Sequence, residues 1–244
     1  MLVIPAVDIR RGEVVRLSQG DYARETVYEA DPVAVARRFA DLGARRIHVV
    51  DLDAAREGRF TALSQVRAIC ASVDAEVDMG GGVRSLEMID EALGAGVDRV
   101  VIGTLAHAQP DLLGEACARH PGRLSVSIDC ADGFVAVRGW TEVTELSAVE
   151  LAGRVVEAGV DEVIVTDIAR DGMLTGVNLV AAVEVAQVGV DVIAAGGVSS
   201  IEDVARAAAA AEREPRLVGV ITGRAVYTGD LDLAEALKLA AGEG

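Results

Sequence analysis

The chain repeats itself. Four landmarks in its first half return in the same order in its second, at a nearly constant offset. The run MGGGVRSLEMIDEAL is matched by AAGGVSSIEDVARAA, which sets Gly81-Gly82 against Gly196-Gly197, 115 residues apart. VVIGTLA, with Gly103-Thr104, is matched by VITGRAV, with Gly223-Arg224, at an offset of 120. HVVDLDAA against IVTDIARD pairs Asp51 with Asp167 at 116, and PAVDI against SIDC pairs Asp8 with Asp129 at 121. One such match is weak evidence; four in register mark a repeat of half the chain.

What repeats is an alternation of short apolar runs with amphipathic ones. Strands are expected at Leu2–Val7, Arg46–Val50, Glu76–Met79, Arg99–Ile102, Leu124–Ile128, Glu162–Val165, Val190–Ala194 and Leu217–Ile221. Helical three- and four-residue spacing lies between them, for example at Pro32–Leu42, Leu86–Leu93, Ala148–Ala158 and Ile201–Ala211. Asp31 before Pro32, and Ser85, read as helix N-caps. Two four-strand halves make eight strands, the number that closes a parallel β/α barrel, and 244 residues is close to the usual length of about 250. The expected fold is a (β/α)8 TIM barrel occupying 1–244 as one domain, with half-barrels near 1–122 and 123–244. Hydrophobic residues make up 51% of the chain and aromatics only 3%, so the core is built from Val, Ala, Leu and Ile, as suits strands buried on both faces. Two loops are longer than the rest, Arg10–Asp31 and Asp132–Leu146, and both follow strands that carry a paired aspartate. Long loops at the C-terminal face of a barrel are where lids sit.

A formal charge of −16 excludes a nucleic-acid partner but not a small anionic ligand, which a few local groups can hold. Lys238 is the only lysine; GC-rich coding and adaptation to high salt both produce such a balance. Cys70, Cys117 and Cys130 form no Cys-x-x-Cys, so neither a disulfide framework nor a zinc site is expected, and no His/Asp/Glu cluster has metal-ligand spacing. The first residues read directly as a strand, and no apolar run approaches the ~18 residues of a membrane span. A soluble, cytoplasmic, monomeric protein is expected, with no membrane partner.

Strands one and five face each other across an eight-strand ring, so Asp8 and Asp129 should oppose one another at the mouth. One general acid and one general base acting on a substrate between them is the chemistry that suits this pair. The alternative, capping or ion pairing, is the better reading for a lone strand-end aspartate but not for two related by the repeat. Gly81, Gly82, Gly103 and Thr104 end strands three and four; Gly196, Gly197, Gly223 and Arg224 end strands seven and eight. Such turns let backbone N–H groups approach phosphate, and the strand 7–8 pair is the usual barrel phosphate site. Twin sites imply an elongated substrate, phosphorylated at each end, with its reactive centre between the aspartates. Each Gly-Gly can also be only a tight turn. After strand six, Thr166 can donate a hydrogen bond and Asp171 adds a carboxylate, with Gly172 and Gly176 in the same loop. Arg138 and the sole tryptophan, Trp140, form an exposed pair on the fifth loop, and Arg16 on the first loop is a further anion contact. His48 and Asp51 read as support behind the site, whereas His107 and His120 read as surface residues.

These residues resemble a known family. IPAVDIRRGEVVRLSQGDY, IHVVDLDAA, GGGVRS, SIDC, VRGW, VTDIARDG, AAGGVSS and ITGRAVY are similar to the histidine-biosynthesis barrels that isomerise phosphoribosylformimino-5-aminoimidazole carboxamide ribotide. The similarity spans essentially the whole chain. It implies the two-half barrel and a substrate with a phosphate at each end. It also implies an Amadori rearrangement of an aminoaldose to an aminoketose without metal or organic cofactor. By this resemblance Asp8 is the base that removes the C2 proton and Asp129 the acid that protonates the ring oxygen. Thr166 takes a supporting catalytic place, and Asp171 is a carboxylate that binds substrate or, in some relatives, acts as the acid.

Three alternatives stay open. The sister cyclase shares the repeat, but it usually has a CLDV-like first strand and a lysine on the following loop; here the strand reads Ala6-Val7-Asp8 and that lysine is missing. A bifunctional isomerase that also converts phosphoribosyl anthranilate is compatible with Arg16, Arg138 and Trp140, although such relatives tend to have serine where Gly80 stands. A non-enzymatic phosphate-binding barrel would keep the glycine turns but has no need of opposed aspartates.

Overall fold

The computed structural model describes residues 1–137 and 139–242. Twelve strands and eleven helices lie among them. Eight parallel strands close the barrel: β1 (Leu2–Arg10), β4 (Arg46–Asp51), β5 (Glu76–Gly80), β6 (Arg99–Ile102), β7 (Leu124–Ala131), β10 (Glu162–Asp167), β11 (Asp191–Ala195) and β12 (Leu217–Thr222). They pair in that order, and β12 returns to β1 through Leu2↔Gly219 to Pro5↔Thr222. All eight overlap the strands expected from the sequence.

The helices are α1 (Pro32–Asp41), α2 (Leu52–Glu57), α3 (Leu63–Cys70), α4 (Leu86–Gly94), α5 (Thr104–Ala108), α6 (Pro110–Arg119), α7 (Ala148–Glu157), α8 (Leu179–Ala186), α9 (Ile201–Arg213), α10 (Arg224–Thr228) and α11 (Leu233–Ala241). Asp31 caps α1 by accepting from the Val33 and Ala34 amides, and Ser85 caps α4 by accepting from Met88. None of these helices is long and apolar enough to cross a membrane.

The remaining strands correct the sequence reading. The two long loops are antiparallel ribbons that rise from the barrel mouth: β2 (Glu13–Ser18) and β3 (Asp21–Glu29) continue β1, and β8 (Phe134–Val137) and β9 (Glu142–Ser147) continue β7. The first turns match across the repeat. Arg11-Gly12 has φ of 51° and 83°, and Asp132-Gly133 has the same pair of values. Two successive positive φ angles make the tight turn that suits the right-handed twist of a hairpin. Asp-Gly is the strongest short hairpin signal, so this ribbon was legible at Asp132-Gly133.

Buried residues divide into a large outer shell between strands and helices and a small cluster inside the ring. The inner cluster is Ile4, Ala6, Val101, Ile164, Ile193, Ala195 and Ile221. It covers only part of the lumen. The register Ala6↔His48↔Asp78 and Ile164↔Ser127 puts polar residues at inward positions on β4, β5 and β7. Deeper still, Arg46 binds Glu162 at 2.7 Å, and the Ser125 hydroxyl donates to Glu162 at 2.6 Å. The barrel is thus floored by a buried ion pair.

Candidate active site

The mouth is built from strand ends two steps above that floor, with the layer of His48, Asp78 and Ser127 between. Asp8 on β1 pairs in register with Val50, and Asp129 on β7 pairs with Thr166 on β10, so Thr166 and Asp129 stand side by side. β1 and β7 are the first and fifth strands of the ring, which sets the two aspartates on opposite sides.

Their surroundings differ. Asp8 Oδ2 accepts from Arg16 Nη1 at 2.7 Å, and Arg16 Nη2 lies 3.8 Å from Asp171. Arg16 comes from the first ribbon, and its side chain is 11% exposed. Burial opposes its charge, but Asp8 and Asp171 outweigh it and push the guanidinium pKa further up. Among the described residues no arginine or lysine is paired with Asp129. Its Oδ1 accepts from the Ser127 hydroxyl at 2.7 Å, and its Oδ2 accepts from Trp140 Nε1 at 2.8 Å. Burial pushes the Asp171 carboxyl up, against the pull of Arg16 and with the help of Asp8 and Asp129. Asp171 therefore shares one electrostatic field with both aspartates.

Trp140 is half-buried rather than exposed. It sits at a turn with φ of 71°, a left-handed conformation rarely taken by a bulky residue. Arg138, its expected partner, lies outside the described residues.

The glycine turns pack tightly. Gly81 has φ of 107°, and a Cβ there would strike the Asp51 carbonyl; at the equivalent Gly196, φ is 87° and the Cβ would come within 2.6 Å of the Asp167 carbonyl. Gly82 and Gly197 lie as close to Ala54 and Gly176. Close approach to the preceding loop thus demands glycine at these four positions. Gly103 and Gly223 differ from each other: no atom crowds Gly103, whereas the Arg16 guanidinium covers the Cβ position of Gly223. Thr104 opens α5 and is exposed. Arg224 opens α10 and donates to the Gly172 carbonyl at 2.7 Å, while the Gly176 amide donates to Gly197 at 3.0 Å. The loop after β10 is therefore tied to both glycine turns of the second half.

The supporting residues separate. Asp51 is wholly buried, and its oxygens accept from the Ala54, Thr61 and Ala62 amides and the Thr61 hydroxyl. It holds the loop after β4, as Asp167 holds the loop after β10 through Ala169 and Asn178. His48 hydrogen-bonds Asp78 in the lumen. His107 is exposed, and His120 lies at the surface, where its ring hydrogen-bonds Asp90 at 2.8 Å. Among the described residues no three His, Cys, Asp or Glu side chains gather as metal ligands would. Three residues at the mouth or beneath it were not singled out in the sequence. Ser127 shares a strand face with Asp129 at spacing two, a legible signal. Asp78 and Gly20 become relevant only through contacts between separate elements.

Comparison with known proteins shows the family of the chain. Residues 2–232 match the family model of histidine biosynthesis proteins. A protein of Anaeromyxobacter sp. (strain K) is 51% identical over 99% of this chain and 100% of its own length. One from Syntrophotalea carbinolica is 47% identical over 100% of both chains, and one from Thermodesulfovibrio yellowstonii is 46% identical over 100% of this chain and 99% of its own. All three are named 1-(5-phosphoribosyl)-5-((5-phosphoribosylamino)methylideneamino)imidazole-4-carboxamide isomerase.

Proposed function

Because the chain belongs to the histidine biosynthesis protein family, we propose that it is the isomerase of that pathway, converting the phosphoribosylformimino aminoaldose to its phosphoribulosyl aminoketose. The observation that carries this reading is the opposition of Asp8 and Asp129 on the first and fifth strands, each with its own hydrogen-bonding partners.

The rearrangement moves hydrogen within one substrate. C1 is reduced and C2 oxidised, so no external electron carrier is needed. Asp129 protonates the ring oxygen and opens the sugar to an iminium at C1. Asp8 then removes the proton from C2. Arg16 holds Asp8 in place, and Thr166 stands beside Asp129 to contact the opened sugar. The turns Gly81-Gly82 with Gly103-Thr104, and Gly196-Gly197 with Gly223-Arg224, receive the two phosphates. Arg16, Asp171, Gly172, Gly176, Arg138 and Trp140 complete the binding surface. The substrate is thus a small bisphosphate, and the working unit is a monomer.

The test is turnover of the purified protein with the aminoaldose, followed by separation of aldose and ketose. Conversion supports the reading; no conversion sinks it. Parallel assays with phosphoribosyl anthranilate, and with ketose plus ammonia, measure whether the substrate range or the reaction is wider.

A further inference from the structure

Asp78 is the feature of the lumen that packing alone does not explain. Its side chain is 2% exposed, and its Oδ2 has no hydrogen-bond partner among the described residues. Its Oδ1 is bonded to His48 Nδ1. Arg46, two residues deeper on β4, feels the Asp78 charge but spends its own hydrogen bonds on Glu76 and Glu162. A buried carboxylate is expensive unless it is paired, and His48 is the partner it has. An apolar pair would fill the same space at less cost.

The position of the pair suggests its use. His48 stands opposite Ala6, and Asp8 lies two residues further along β1 on the same face. The imidazole is therefore one step beneath the Asp8 carboxylate. It is 13% exposed, against 2% for Asp78, and the Arg46–Glu162 pair closes the lumen below. The open part of the dyad is its ring, toward the mouth.

We propose that His48, oriented by Asp78, is a further catalytic base, which takes the C2 hydroxyl proton when the enaminol becomes the aminoketone. This rests on the isomerase reading. Once Asp129 has protonated the ring oxygen and the C1–O bond has broken, Asp8 removes the C2 proton. The C–H pair forms the C1=C2 bond, and the iminium π pair returns to nitrogen. To finish, C1 must gain a proton and the C2 hydroxyl must lose one. Asp8 holds the proton for C1, but neither aspartate is assigned the hydroxyl. His48 Nε2 takes that proton as the O–H pair becomes the C2=O bond, while the C1=C2 pair takes the proton from Asp8. The imidazolium then returns its proton through solvent to the Asp129 carboxylate. Asp78 is a positioning residue: by accepting from Nδ1–H it leaves Nε2 as the acceptor. Among the described residues the charged groups that act on the ring are Asp78 from β5, Asp8 from β1 and Arg16 from β2. Burial disfavours the imidazolium, yet Asp78 and Asp8 outweigh burial and Arg16, so the His48 pKa is raised and its ring is a stronger base than a free imidazole.

The experiment follows both half-reactions in D2O. Wild-type protein is assayed first; if it does not convert the aminoaldose, the isomerase reading itself falls. If it does, His48→Gln should lower kcat about 100-fold, within the range of a lost general base, with KM within about threefold. Aminoaldose recovered from that variant should still carry deuterium at C2, because Asp8 continues to work. Equal loss of exchange and product formation, or a kcat within about threefold of wild type, overturns the dyad and leaves the isomerase standing. Asp78→Asn should move the acid limb of the kcat profile to lower pH, since His48 loses the charge that holds its proton; an unmoved limb overturns the role of Asp78. Should that variant not fold, NMR titration of His48 in the wild-type protein decides the matter. Titration above the ordinary 6.5 supports the pair, and titration at or below it overturns the proposal.

Discussion

The indole N–H of Trp140 donates to Asp129 Oδ2 at 2.8 Å, while its ring lies over Gly20 of the other ribbon, where a Cβ would come within 2.7 Å of Cε3. The two ribbons thus meet above the mouth, and their point of contact is bonded to the proposed acid. Trp140→Phe keeps the ring but removes the donor. A hydrogen bond to a charged group is worth about 1.5–3 kcal/mol, so kcat/KM should fall about 10-fold or more. Because Trp140 is the sole tryptophan, its fluorescence should also shift when a bisphosphate ligand binds. Unchanged kcat/KM together with unchanged emission would show that this contact is irrelevant to the reaction.

Asp8→Asn and Asp129→Asn should each lower turnover about 10²–10⁴-fold, the range for general acid or base catalysis. Binding of the ketose product, measured calorimetrically, should remain detectable in both. Near-normal turnover in either variant would remove that residue from the mechanism.

Asp171 links function to stability through pH. Burial raises its carboxyl pKa in the folded protein, against the pull of Arg16. Such a group favours folding below its unfolded pKa of 3.8 and loses that contribution as pH rises through the folded value. At neutral pH the buried carboxylate therefore works against the fold. Asp171→Asn should melt higher than wild type at pH 7, the gain should shrink toward pH 4, and turnover should fall. A lower melting temperature at pH 7 would contradict the sign.

The ion pair on the barrel floor predicts an asymmetry. Removing one partner, by Arg46→Met or Glu162→Gln, strands a buried charge or its hydrogen-bonding partners and should destabilise the protein by about 3–5 kcal/mol. Arg46→Met combined with Glu162→Leu should recover most of that loss, because well-packed apolar groups replace a buried pair at little cost. Denaturant unfolding of the three variants measures it; additive losses would mean that the pair is not coupled.

Gly81→Ala should destabilise by about 2–4 kcal/mol, from a left-handed backbone and a clash with the Asp51 carbonyl. Gly153→Ala is the control. It lies inside α7 with no atom near its Cβ position, and it should stabilise by up to about 1 kcal/mol. Equal effects in urea unfolding would refute this account of the paired glycines.

Much of the site was legible because strand ends and repeats are local signals. Asp8, Asp129 and Thr166 each terminate an apolar run, and in a closed parallel barrel every such end reaches the same mouth. The ribbons do not stand out as strands in the sequence, although Asp132-Gly133 carries a hairpin signal, because the alternation in DYARETVYE and EVTELS is too polar to mark a strand by itself. In the sequence Gly81 and Gly196 point chiefly to phosphate. Their demand for glycine also comes from the carbonyls of Asp51 and Asp167, which belong to the preceding strand and are invisible to a local reading.

By itself the sequence determined the barrel, its two-fold repeat and the opposed aspartates, because periodicity and strand-end position are properties of contiguous residues. Only the tertiary structure decided what makes the aspartates unequal. Arg16 reaches Asp8 from one ribbon, Trp140 reaches Asp129 from the other, and Asp78 meets His48 across a strand register. These partners lie 8, 11 and 30 residues apart along the chain, and it is the closing of the ring and the folding of the ribbons over its mouth that bring each pair within hydrogen-bond reach.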